Sequence, residues 1–470
     1  MTAETAADGR GQAAAPVPEP ATVSPGGTAV PAPGAAQPPY PRPLYAWYVV
    51  GVLMLLYVVS FVDRLVINLL VEPIKRDLQV SDFEIGLLSG LSFALLYTLL
   101  GLPAGRLSDR YSRRWIIAGG VLVWSCFAAA CGMAKTYWHL MIARMGVGVG
   151  EAALSPAAYS LLPDYFPPDR LGRAYSVYGT GITVGSGVAF IVGGLVVGFA
   201  SAENAMIAVP LLGEVRPWQF VFLVTGLPGI PLALLMLTVK EPVRRGRVQG
   251  QAQVPFRAVL AHVRARAGVM VPHFLACGLM SLVGYGTAAW MPALAVRTFG
   301  TPPGEVGLYL GGITILFATA GMFTAGFLAD RLTRAGAADA PVRVCLWVAL
   351  AASVFSTAVP LMPSETLLWS VACLSGFVGT AWAGVGAAAA NLMTPGTMRG
   401  LVSALYLFVV NIVGLGLGPA VVGGVTDWVF GDPALVRYSL ALVSAVCLPL
   451  AALLYAVALP GFRRSVGGAA

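Results

Sequence analysis

Twelve apolar runs, each near or above the ~20 residues needed to cross hydrocarbon, divide this chain. They predict membrane helices over 45–71, 84–106, 115–134, 138–162, 172–200, 217–239, 269–296, 304–328, 343–362, 366–392, 400–426 and 435–460. Most connections are short, so neighbouring helices run antiparallel. The exception is 240–267, which carries Arg244, Arg245, Arg247, Arg257, Arg264 and Arg266. The expected organisation is a tail over 1–43, a six-helix bundle over 44–240, a basic linker over 241–268, a second six-helix bundle over 269–461 and a short tail over 462–470. The first tail is rich in Ala, Pro and Gly without an apolar core, which reads as disordered and not as a signal peptide.

One run does not fit a passive span. His139–Ser160, HLMIARMGVGVGEAALSPAAYS, holds Arg144 and Glu151 seven positions apart. Seven positions are almost two helical turns, so both groups share a face, roughly 10 Å apart along the axis. A charge in the bilayer interior costs at least ~3 kcal/mol. The pair therefore needs a polar interior to face. Asp63 and Arg64 in the first run complete the set of charges deep inside the spans. Counted at ~1.5 Å per residue from the helix ends opposite the tails, Arg144, Asp63 and Glu151 lie roughly 9, 12 and 20 Å deep. A cluster on adjoining faces of helices one and four is expected, with ionised Glu151 paired to Arg144.

Composition agrees with this pattern. The chain is 57% apolar and 11% charged, against roughly 25% charged in soluble domains. A soluble α/β enzyme is excluded by the long uncharged runs. The net charge of +8 is a topology signal and does not point to nucleic acid. Of 29 Lys and Arg, 21 fall in alternate loops and tails on one side, six on the other and two inside spans. Lys and Arg accumulate on the cytoplasmic side, which places both termini there. Six cysteines without a CxxC pair read as small buried hydrophobes, and three scattered histidines make no metal site. Gly148-x-Gly150-x-x-Ala153 matches a loose dinucleotide fingerprint, but it lacks the βαβ context. Its glycines, with Gly146, are expected to allow close helix packing.

The halves repeat. GRLSDRYSRR (105–114) returns as GFLADRLTR (326–334), with Gly105, Leu107, Asp109, Arg110 and Arg113 matched at an offset of 221 by Gly326, Leu328, Asp330, Arg331 and Arg334. Duplicated six-helix halves mark a carrier whose substrate lies between them. The loop G-x-L-x-D-R-x-x-R, with Arg144 before GVGVG, resembles the signature motifs of the major facilitator superfamily. Asp63-Arg64, RMGVGVGEAALSPAAYSLLPDYFPPDR and TPGTMRGLVSALYLFVVNIVGLGLGPAVVGGVTD resemble its spinster-like branch. This resemblance covers about 45–460. It implies an all-α fold of two pseudo-symmetric bundles and proton-linked movement of lysophospholipids or sphingoid lipids. It also implies that Gly105, Asp109, Arg110, Arg113, Asp330, Arg331 and Arg334 stabilise a gate closed to the cytoplasm. One departure is Ser186, which stands where drug:proton antiporters of the superfamily carry proline.

The function expected is proton-coupled transport of an amphipathic, anionic lipid, in the direction of export by analogy. Asp63 and Glu151 are the candidate proton carriers, with Arg64 and Arg144 as fixed charges. Protonated Glu151 would free Arg144 for an anionic head group. Ser155, Tyr159, Tyr178 and Thr180 are candidate hydrogen-bonding partners near the charged wall. Tyr285, Thr287, Trp290, Trp382, Tyr406 and Asn411 belong either to an apolar wall opposite or to ordinary helix packing. Multidrug:proton antiport is the alternative, and a non-transporting receptor or scaffold the third reading. No enzymatic motif, nucleotide loop or cofactor site is expected; protons are the coupling ion. A monomer in a bacterial inner membrane, driven without ATP, completes the expectation.

Overall fold

The computed structural model describes residues 39–202, 206–210, 212–245 and 255–467. Most of the expected first tail and the centre of the basic linker lie outside these residues.

Among the described residues, eleven segments are long and apolar enough to cross a membrane. They are helices one (Pro43–Leu69), two (Asp82–Arg110), three (Arg113–Cys131), five (Pro168–Ala200), six (Pro217–Met236), seven (Ala267–Phe299), eight (Pro303–Arg334), nine (Ala340–Leu361), ten (Glu365–Leu392), eleven (Arg399–Phe430) and twelve (Pro433–Val466). The twelfth crossing is helix four, expected as one run over 138–162. It is broken into Tyr137–Glu151 and Leu154–Tyr165, with Ala152 and Ala153 in a turn. Each part is too short to span alone, and the break follows directly on Glu151.

Both bundles place their first and last helix ends on one face, called here the terminal face. There Tyr45 of helix one donates to the Thr238 carbonyl, and Tyr165 of helix four bonds the Lys240 carbonyl. The linker contains an amphipathic helix, Phe256–Ala265, with Val259 and Val263 buried and Phe256 and Leu260 exposed. Its His262 ring meets the Met393 carbonyl at the end of helix ten.

The all-α expectation holds for both bundles but omits one element. Between helices five and six, Ile207–Val209 and Gly213–Val215 form an antiparallel hairpin, with Ile207 opposite Val215. Gly213 sits at φ +77°, a conformation that glycine adopts without steric cost.

At the opposite, far face the two halves meet through two glycine seams. A Cβ on Gly86 of helix two would lie 2.5 Å from the Pro419 carbonyl oxygen of helix eleven, and one on Gly90 2.6 Å from that of Gly416. The second seam joins helices five and eight, where a Cβ on Gly307 would lie 2.3 Å from the Phe190 oxygen. Helix eleven reaches its seam through a π-helical stretch, Asn411–Gly416. Such stretches recur at functional positions.

Inside the first half, the helix-four glycines pack as expected. A Cβ on Gly150 would fall 2.4 Å from the Trp124 backbone nitrogen and 2.7 Å from the Gly120 oxygen. Both neighbours are backbone and cannot step aside. Gly150→Ala is therefore expected to lower stability by about 1–3 kcal/mol. Gly119→Ala, which meets nothing within 4 Å, should leave stability unchanged or slightly raised. Thermal unfolding of the two variants in detergent tests this; equal melting temperatures would remove the steric argument.

Candidate functional site

Helix one loses its regular spacing just after its charges. The α-helix ends at Leu65 and continues as a 3₁₀ turn over Val66–Leu69. Tightening of a last turn leaves backbone carbonyls in need of donors. Arg144 supplies them, with its two terminal nitrogens 2.8 Å from the Asp63 oxygen and 3.1 Å from the Arg64 oxygen.

This corrects the expected pairing. Glu151 bonds Arg64 at 2.5 Å and accepts a second bond from Ser60 at 3.0 Å, both at Oε2. Its Oε1 has no partner. Arg144 is committed to the main chain, so Arg64 is the cation left to meet the carboxylate. Exposures of 1% for Asp63, 6% for Arg64, 1% for Arg144 and 2% for Glu151 show how fully the four are enclosed. The four charges predicted from sequence thus come together, with their partners exchanged. Asp63 stands apart: neither carboxyl oxygen has a hydrogen-bond partner. It faces Trp124 of helix three and Thr225 of helix six.

Arg64 is also ringed by aromatic faces. Its guanidinium lies 4.9 Å from the Phe61 centroid, 4.4 Å from Phe93 and 4.9 Å from Tyr97. Such contacts are worth roughly 2 kcal/mol or more when desolvated. Nearby, Tyr57 stacks on Tyr178 at 5.0 Å, and Tyr159 meets Tyr178 edge-on at 5.3 Å. Ser155 points toward Tyr57 and Tyr178. Tyr285 reaches the neighbourhood of Arg64 from the second half. Ser155, Tyr159, Tyr178 and Tyr285 therefore gather at the charged wall. Thr180 bonds its own helix at the Val177 carbonyl. Thr287 and Asn411 are half-buried, and neither has a side-chain bond that ties it to this cluster.

The remaining aromatic candidates sit in helix packing. Trp290 donates to the Pro419 carbonyl at 2.8 Å, and Trp382 to that of Gly379 at 2.9 Å. Tyr406 stacks beside His273 within the second bundle. All three are buried with their rings enclosed by neighbouring helices, so their apolar bulk is spent on the bundle.

The expected gate residues bond within their own halves. Arg113 is buried between Asp164 at 2.5 Å and Glu241 at 2.7 Å. Arg244 gathers the carbonyls of Ser108, Asp109 and Tyr111. Gly105 lies 3.8 Å, as a would-be Cβ, from Pro156 of helix four, and Arg110 is exposed. In the second half Asp330, Arg331 and Arg334 are exposed, and Arg334 reaches only the Asp330 carbonyl. The sequence repeat is thus not a repeat of bonding. Asp339 takes the central place there, between Arg343 at 2.6 Å and Arg463. Burial opposes its charge, but hydrogen bonds from the two arginines hold its carboxyl below the usual range.

Ion pairs between the halves lie instead at the far face. Arg297 of helix seven bonds Glu72 at 2.7 Å and Asp82 at 2.8 and 2.9 Å. Asp427 of helix eleven accepts from the Phe83 nitrogen at 2.7 Å. This lock lies at the ends of the spans, outside the interior where a charge stands out in the sequence. The signal was present as opposite charges at the far ends of helices two and seven. Ser60 was also findable, three and four positions before Asp63 and Arg64 on the same face.

The Major Facilitator Superfamily model matches residues 53–419. An "MFS-type efflux pump" of Mycolicibacterium smegmatis is 30% identical over 90% of this chain and 95% of its own length. "Protein spinster" of Drosophila melanogaster is 26% identical over 81% of this chain and 62% of its own. Among solved structures, a bacterial homolog to the human lysosomal transporter spinster, inward-facing and unoccupied, superposes with a TM-score of 0.74. It is 26% identical over 91% of this chain and 98% of that one.

Arg297→Gln removes the ion pairs that cross the far face and leaves the Asp427 bond in place. Spin labels at Trp138→Cys and Val429→Cys, both exposed at that face, are expected to report a distance distribution broadened toward longer values. An unchanged distribution would mean that the glycine seams and the Asp427 bond suffice to keep the face closed.

Proposed function

The chain belongs to the major facilitator superfamily, in its spinster-like branch, and we propose that this membrane transporter moves an amphipathic lipid in a proton-coupled cycle. The observation that carries this reading is the wall around Arg64. One guanidinium is held by a single carboxylate and ringed by Phe61, Phe93 and Tyr97. A lysophospholipid or sphingoid-type lipid offers an anionic head for the first feature and an apolar tail for the second.

The proton step follows from the bonds of Glu151. A proton adds to Oε1, the oxygen without a partner. The hold of Oε2 on Arg64 then loses its ion-pair attraction and weakens, since only the guanidinium remains charged. Arg64 cannot give up its own proton, so it turns its planar fork to the phosphate or carboxylate of the lipid. Arg144 stays on its carbonyls as a fixed support. Asp63 is the second carboxyl that accepts a proton in the cycle.

The excess of Lys and Arg on the terminal face supports placing that face in the cytoplasm. With the far face held by Arg297 and the seams, lipid enters from the cytoplasmic side and leaves at the far side. We therefore read export from a bacterial inner membrane, by a monomer that needs neither ATP nor a cofactor beyond protons and catalyses no reaction. Multidrug:proton antiport is the second reading, favoured by the similarity to an efflux pump. The aromatic ring would suit a hydrophobic cation, but Arg64 opposes it. A non-transporting receptor would show no pH-driven flux.

Proteoliposomes with an imposed pH gradient separate these readings. Counterflow is expected with lysolipids or sphingoid lipids and not with an ethidium-like cation; the reverse outcome selects drug antiport. Glu151→Gln should flatten the pH dependence while the protein still folds, and unchanged proton coupling would rule that role out. Arg64→Gln should lower uptake of an anionic lysolipid by more than about tenfold, the value of one charged hydrogen bond.

A further inference from the structure

Beside the Arg64–Glu151 pair, five buried polar atoms lack a well-formed hydrogen bond. They are both carboxyl oxygens of Asp63, the Trp124 indole nitrogen, the Ser125 hydroxyl and the Thr225 hydroxyl. Their side chains come from helices one, three and six and are at most 4% exposed. A buried donor or acceptor left without a partner loses its hydration and gains nothing in return. They share one place: Trp124 and Thr225 both face Asp63. Gly229 of helix six completes it. A Cβ there would lie 1.7 Å from the Ser125 hydroxyl and 3.6 Å from the Trp124 indole nitrogen. Any side chain at position 229 would push the Ser125 hydroxyl out of this place.

The donor set decides what fits. An indole N–H only donates, so a bare metal cation would face a like-signed hydrogen. Water accepts from the indole and donates to the carboxyl, and two hydroxyls can serve it in either sense. A water requires two to four such partners.

We propose that this pocket between helices one, three and six is a hydration site, holding one or two ordered waters through which Asp63 takes up and releases its proton. The statement rests on the proton-coupled reading for its purpose but not for the water itself. The other ionisable groups near Asp63 are Arg64 on its own helix, Arg144 and Glu151 on helix four, and Cys131 on helix three. Trp124, Ser125, Thr225 and Gly229 are positioning residues that fix the water.

Infrared difference spectroscopy of the purified protein in liposomes, titrated in H₂O and D₂O, tests this. The carbonyl stretch of protonated Asp63 is identified as the band that Asp63→Asn removes. Thr225→Val, Trp124→Phe and Gly229→Ala are each expected to shift it, and Thr225→Ser to restore it. The pH at which the band appears should move by about one unit, or tenfold in proton affinity, in the Thr225→Val protein. A band insensitive to all three substitutions, or no Asp63 band at any pH, overturns the hydration site. A band moved by sodium instead of pH would make it a cation site and also overturn it. The transport reading fails separately, if Asp63→Asn leaves proton-driven flux unchanged while the band behaves as stated.

Discussion

The first half of this protein depends on two backbone carbonyls. Where helix one tightens into its 3₁₀ turn, the oxygens of Asp63 and Arg64 accept from Arg144. Hydrogen bonds to a charged donor contribute about 1.5–3 kcal/mol each, and here they also set orientation. With the main chain fixed at two successive residues, the side chains of Asp63 and Arg64 must leave it in different directions. One goes to Glu151 and the aromatic ring around it; the other goes to helices three and six. A lysine at position 144 would keep the charge but lose the fork that bridges both oxygens.

The two halves are joined by a different principle. Their seams are made of glycines that bring backbones together, and among the described residues little polar contact reinforces them apart from Arg297 and Asp427. Small-residue seams rely on dispersion, which falls off within an ångström or so of separation. Such an interface is either fully closed or open, with little in between. That suits the alternation proposed for this molecule, with the far-face ion pairs at the rim of the seam.

Much of this was legible in the sequence for a physical reason. Spans follow from uninterrupted apolar length, and the interior charges stand out because hydrocarbon makes them expensive. Hence Asp63, Arg64, Arg144 and Glu151 could be named as a cluster before any coordinates. Their pairing could not, since spacing along helix four says nothing about the carbonyls that helix one leaves free. The break after Glu151 was hidden by the same glycines and alanines that also make good packing. Trp290, Trp382 and Tyr406 show the limit for aromatic residues, whose burial in a bundle or on a cavity wall is decided by rotation about the helix axis. The repeated loop misled in another way: Arg113 and Arg334 align in sequence, yet one is buried between two carboxylates and the other is exposed.

The interruption of helix four has a consequence for how the protein is made. Its two parts, 15 and 12 residues long, reach about 22 and 18 Å against the ~30 Å of hydrocarbon. Together they carry two interior charges that would cost about 5–7 kcal/mol if the segment entered lipid by itself. Helix four is therefore a poor solitary recruit for the insertion machinery. Helices one to three, already in place, supply the carbonyls, the arginine and the glycine-lined groove that make its entry favourable. Biogenesis of the first half is in this sense templated, with the charged segment held at the membrane until its partners can receive it.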